Sequence, residues 1–150
     1  MENKRLKQTE EALAEIYRNA QLALQSISDI LPETEDGEVR AELTAQHEAY
    51  EHFSARAQMI ARDKGLELKE PNPMKKMMMW GSIKMSTLTD GSRAHIAEMM
   101  IQGTVMGITS LRTSATEASA KANDTDEVIA LLNEMIEREE IFEKRWKNYL

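Results

Sequence analysis

The feature that most restricts this chain is where its helical periodicity stops and restarts. Two long runs of apolar residues at three- and four-residue steps are joined by a tight Pro/Gly turn. About 25 residues then break the pattern, and two more such runs follow, again joined tightly. Short connections pair each helix with its sequence neighbour, while a long one lets the chain travel back along a bundle.

The first run carries Leu6, Leu13, Ile16, Tyr17, Ala20, Leu24, Ile27 and Leu31, and predicts a helix over about 2–31. Pro32 ends it, because proline disfavours the helical conformation in the residue before it. The second run, over about 35–64, has the stripe Val39, Leu43, Gln46, Tyr50, Phe53, Ala57 and Ile60, with Gly65 as a C-terminal cap. The third, about 92–121, carries Ile96, Met100, Gly103, Gly107, Leu111, Ser114 and Ala118, with Asp90 or Thr89 as its N-cap. The fourth, about 125–149, carries Val128, Leu131, Leu132, Met135, Glu139, Phe142, Trp146 and Tyr149. Asp124 with Glu127 three residues later resembles a capping box at its start. The expected fold is an all-α, single-domain bundle over 1–150, up-down-down-up, with one long crossover at 66–90 containing a short helix from Met74 to about Leu88.

Composition narrows the function classes. Hydrophobic residues make up 41% and charged residues 30% of the 150, which suits an amphipathic bundle. With no cysteine there is no disulfide framework and no thiolate site, and a reducing compartment fits. The net charge of -7 argues against nucleic-acid binding, which needs a basic footprint. No stretch approaches the roughly 18 apolar residues of a spanning helix. The charged start MENKRLKQTEEALAEIYRNA has no apolar signal core, so the expected address is cytoplasmic. No Ser-His-Asp pattern, P-loop or Rossmann glycine fingerprint is present.

Glu139 is the one sharp anomaly, a carboxylate on an apolar stripe between Met135, Phe142 and Trp146. Burying it is costly unless it is paired, hydrogen-bonded, protonated or cation-bound. Gln46, Tyr17 or Tyr50 could be its hydrogen-bond partner. On the second helix, Gln46-His47-Glu48-Ala49-Tyr50-Glu51-His52-Phe53 places Gln46 and Tyr50 on the stripe, with His47 and Glu51 one turn apart on a flank. Gly103 and Gly107 form a G-x-x-x-G whose glycines are expected to let another helix come close.

The helix layout and this stretch of the second helix resemble the ferritin-like superfamily, and in particular small bacterial members whose metal ligands have been replaced. That resemblance implies a di-metal site with one Glu from each of two helices and a Glu-x-x-His pair from each of the others. Ala49 stands where the pair to His52 needs Glu, and Phe142 stands where the partner of Glu139 needs His. The expectation is therefore a non-catalytic bundle without a cofactor, acting through its surface as a homodimer. A second reading is an iron or manganese site, of oxidoreductase or storage type, around Glu139, Gln46 and Tyr50, with His47 and Glu51 as remoter candidates.

The crossover carries a third reading. Residues 69–93 hold five basic and two acidic groups, a local +3 in a chain whose remainder is -10. Met74, Met77, Met78, Trp80 and Met85 form a candidate interaction surface: groove filler or dimer contact, a basic helix lying on a membrane surface, or a Cu(I) thioether site.

Overall fold

The computed structural model describes residues 2–69, 91–119 and 127–150, with side chains at 9–69, 91–117 and 127–150. Four long helices make up these residues: α1 (Glu2–Ile30), α2 (Gly37–Asp63), α3 (Arg93–Ser119) and α4 (Glu127–Lys147). No strand occurs among the described residues. They form an all-α four-helix bundle in which α1 packs closely on α2, and α3 on α4. The expected crossover helix, its methionines and Trp80, the proposed caps Thr89 and Asp90, and Asp124 lie outside the described residues.

Each helix end has a chemical cause. α1 stops at Ile30, and Leu31–Glu33 tightens into a 3-10 turn that accepts Pro32 in its first residues. Arg40 reaches back from α2 and donates to the carbonyls of Leu31 (2.7 Å) and Thr34 (2.8 Å), satisfying acceptors that the ending helix leaves open. α2 begins after Asp36, whose carboxylate accepts from the N–H groups of Glu38 and Val39. It closes in a Schellman motif: the Leu66 N–H donates to Ala61 O at 2.8 Å and the Gly65 N–H to Arg62 O at 3.1 Å. Gly65 sits at φ +70°, where a side chain is strained. α3 is capped by Ser92, which replaces the expected Asp90 or Thr89. Its Oγ accepts from the His95 N–H at 3.3 Å, and its carbonyl accepts from the Ile96 N–H at 3.0 Å.

The core is the sum of the four stripes. Leu13, Ile16, Ile27, Leu43, Leu131, Leu132, Met135 and Trp146 are all at or near zero exposure. α3 turns slightly from its expected face: Ala97, Met99, Thr104 and Ile108 join Ile96, Met100, Gly107 and Leu111 inside, while Gly103 and Ser114 are only half-buried. Thr104 is tolerated there because its hydroxyl donates back to Met100 O at 2.6 Å.

One end of the bundle is tied by a single cation. Arg93, at the start of α3, donates to both Asp36 oxygens (2.8 and 2.9 Å), approaches Glu38, and stacks 5.4 Å from the Tyr149 ring centroid. The Val39 N–H, and after it Arg93, hold the Asp36 carboxyl below its usual range. No helix among the described residues is long and apolar enough to cross a membrane.

Gly65→Ala forces a Cβ into the left-handed conformation and is expected to destabilise the fold by about 1 kcal/mol. Urea denaturation checks this, with a lower midpoint and an unchanged slope as the expected result.

Candidate functional site

The apolar stripe of α4 carries Glu139 into the middle of the bundle, where it is 1% exposed. Each of the other helices supplies one neighbour. From α1, Asn19 Nδ2 donates to Glu139 Oε1 at 2.7 Å. From α2, the buried Tyr50 hydroxyl also hydrogen-bonds the carboxyl group. From α3, Gly107 presents bare backbone. A Cβ built there would lie 2.7 Å from Glu139 Oε2 and 2.8 Å from Asn19 Oδ1. Glu139 Oε2 itself has no hydrogen-bond partner among the described residues.

This geometry decides the protonation state. Burial pushes the Glu139 carboxyl from the ordinary 4.5 up to about 8, because desolvation outweighs the opposing hydrogen bonds from Asn19 and Tyr50. Burial also drives the Tyr50 phenol well above its ordinary value, with the neighbouring Glu139 charge adding to the effect. At neutral pH the centre is thus a carboxylic acid, an amide and a phenol, all uncharged.

Gly107 has a different use from the one expected. The G-x-x-x-G pattern suggested close approach of another helix, but the missing Cβ of Gly107 makes room for two side chains, Asn19 and Glu139. Asn19 was not among the expected partners of Glu139. It lies three residues after Ile16 and four before Ala23, so the helical wheel already places it beside the stripe.

Gln46 is fully buried, as its stripe position requires, but its amide is engaged elsewhere. Its Oε1 accepts from the Trp146 indole N–H at 3.0 Å, and its Nε2 donates to Glu42 at 2.9 Å. Tyr50 joins Glu139 and packs on Phe142 with ring centroids 5.6 Å apart. His47 and Glu51 pair with each other at 2.6 Å on the flank of α2, away from the central group. His52 is exposed and packs edge-on against Phe53. His95 is half-buried, with no partner for Nε2 among the described residues, and Glu98 and Gln102 are exposed. Further along the α1–α2 seam, Gln21 donates to the buried Ser54 hydroxyl at 2.9 Å.

Among the described residues, no three His, Asp or Glu side chains converge as a metal-ion site. One uncharged carboxyl beside an amide and a phenol does not fit paired iron, whose positive charge needs several carboxylates. No protein-family model matches the chain, and no curated protein and no solved structure matches it.

The buried acid makes stability depend on pH with a definite sign. Between about 4.5 and about 8 the folded state binds more protons than the unfolded one. The contribution is full below about 4.5, is lost progressively as pH rises from there to about 8, and is gone above it, a change of roughly 5 kcal/mol in all. Glu139→Gln keeps the shape without the titration. It is expected to match or exceed the parent's stability at neutral pH and to lose this decline between about pH 4.5 and about pH 8. Urea midpoints of both proteins at about pH 5, 7 and 9 provide the check, and parallel pH profiles would contradict it.

Gly107→Ala must displace the Asn19–Glu139 pair, at an expected cost of about 1–3 kcal/mol before the gain in helix propensity. In an Asn19→Ala background much of that cost should vanish. A double-mutant cycle on unfolding free energies measures the difference.

Proposed function

We propose that this chain is a ferritin-like bundle that works without catalysis, through surface contacts and as a homodimer. The observation that carries the reading is how the central polar groups are used. Glu139 is matched by Asn19 and Tyr50, and Gln46 by Trp146 and Glu42. Where the superfamily resemblance implies metal ligands, these side chains bond to one another and hold the helices in register.

Contacts at the tied end support the up-down-down-up layout. Asp36 opens α2, Arg93 opens α3 and Tyr149 follows α4, and all three meet. The start of α2 also lies level with the end of α4 through Gln46 and Trp146. Helices α2 and α3 running one way, with α1 and α4 running the other, is the arrangement those contacts favour. A cytoplasmic setting belongs to the same reading, supported by a chain without cysteine.

A second reading has one observation in its favour. Glu139 Oε2 has no hydrogen-bond partner among the described residues, and a cation that displaced the carboxyl proton would find it there. Purification from iron- and manganese-supplemented cells, followed by metal analysis, separates the two. Far less than one metal ion per chain is the expected result, with light scattering giving twice the mass of one chain. Near-stoichiometric metal that disappears in Glu139→Ala would replace the first reading with the second.

A further inference from the structure

The outer face of α2 shows an order that folding of the single chain leaves unused. Ala45, Glu48, Ala49, His52, Ala55, Arg56 and Met59 recur at three- and four-residue steps, one continuous stripe. All are exposed except the half-buried Ala49, and Met59 is 62% exposed. Neither Glu48 nor Arg56 has an ion-pair partner among the described residues.

The stripe is symmetric in position about His52 and complementary in chemistry. Four residues to either side stand Glu48 and Arg56, of opposite charge. Three residues to either side stand Ala49 and Ala55, both small. Seven residues to either side stand Ala45 and Met59, one small and one long. A two-fold axis that pairs a helix with an antiparallel copy of itself sets each residue against the one equally far on the other side of the centre. Such an axis through His52 brings Glu48 against the partner's Arg56, Ala49 against the partner's Ala55 and Ala45 against the partner's Met59. The alanines allow close approach of the two helices. Ala45 also lines a groove of about 480 Å³ between α2 and α4, whose wall mixes Phe53 and Ile141 with Glu134, Glu137 and Arg138 and leaves room for the long, flexible side chain of a methionine.

From this pattern we infer that α2 is the dimer interface, pairing antiparallel with the α2 of a second copy about a two-fold axis at His52. The inference deepens the homodimer reading above and rests on it.

The chain has no cysteine, so His52→Cys introduces a unique, exposed thiol at the axis. A short bis-maleimide should link His52→Cys chains into dimers efficiently, and Ser110→Cys, on the exposed side of α3, should stay largely unlinked. Glu48→Arg and Arg56→Glu should each weaken the dimer about tenfold in sedimentation, because the symmetric pair is broken twice. Mixing the two single variants, or combining both changes in one chain, should restore it, and circular dichroism confirms that each variant is folded. Restoration by charge exchange is a result that mere loss of stability does not produce. A parent protein that stays monomeric at every concentration would overturn both the dimer and this face. A dimer that ignores the charge exchanges and fails to link through His52→Cys would overturn the face alone.

Discussion

A carboxyl group placed among packed aliphatic side chains must be neutral or matched, and in this bundle that demand reaches every helix. Glu139 sits on α4, but the groups that make its position tenable come from the other three. An amide from α1 donates to it, a phenol from α2 bonds to it, and a glycine on α3 leaves the space that the amide and the carboxyl group occupy. The neutral form then costs far less to bury than a carboxylate would. Each fully buried leucine or isoleucine contributes about 2 kcal/mol, and Leu13, Ile16, Leu131 and Leu132 are among many. The core can therefore carry one protonated acid without losing its driving force. In exchange for that cost, a hydrogen bond only 2.7 Å long fixes how α1 and α4 stand against each other. Aliphatic packing alone specifies such register less sharply.

The second buried polar group extends the same principle nearer the tied end. Gln46 could not be left alone at zero exposure, and Trp146 could not bury its indole N–H without an acceptor. Each answers the other across α2 and α4. With Gln21 and Ser54 on the α1–α2 seam, the polar contacts lie at different levels and on different helix pairs. Sliding α1, α2 or α4 along the others would break at least one of them.

Much of this was legible in the residue order. The stripes of α1, α2 and α4 follow a 3.6-residue period strong enough that Glu139 and Gln46 declare themselves as polar groups inside it. Pro32 and Gly65 mark ends because their backbones allow little else. The face of α3 was harder to place, since glycine, threonine and methionine spread over its surface blur the apolar arc. Partner choice was harder still. Nothing in one helix says which side chain of another will meet it, so Gln46, equally polar and more central in its stripe, is an expected partner where Asn19 is the observed one. Gly107 was open to misreading for a related reason. Close approach of a backbone and close approach of a side chain leave the same mark in the sequence, a missing Cβ.

The double use of Asp36 has a consequence for how that end of the molecule comes apart. The same carboxylate caps the first turn of α2 through Oδ1 and receives on both oxygens the guanidinium that begins α3. Unwinding the first turn of α2 swings the carboxylate away from Arg93, and releasing Arg93 uncovers the ring of Tyr149. Three chain segments far apart in sequence therefore share a single local opening event. Amide protons at the starts of α2 and α3 and at the tail of α4 belong to one cooperative unit, and should exchange with solvent together rather than helix by helix.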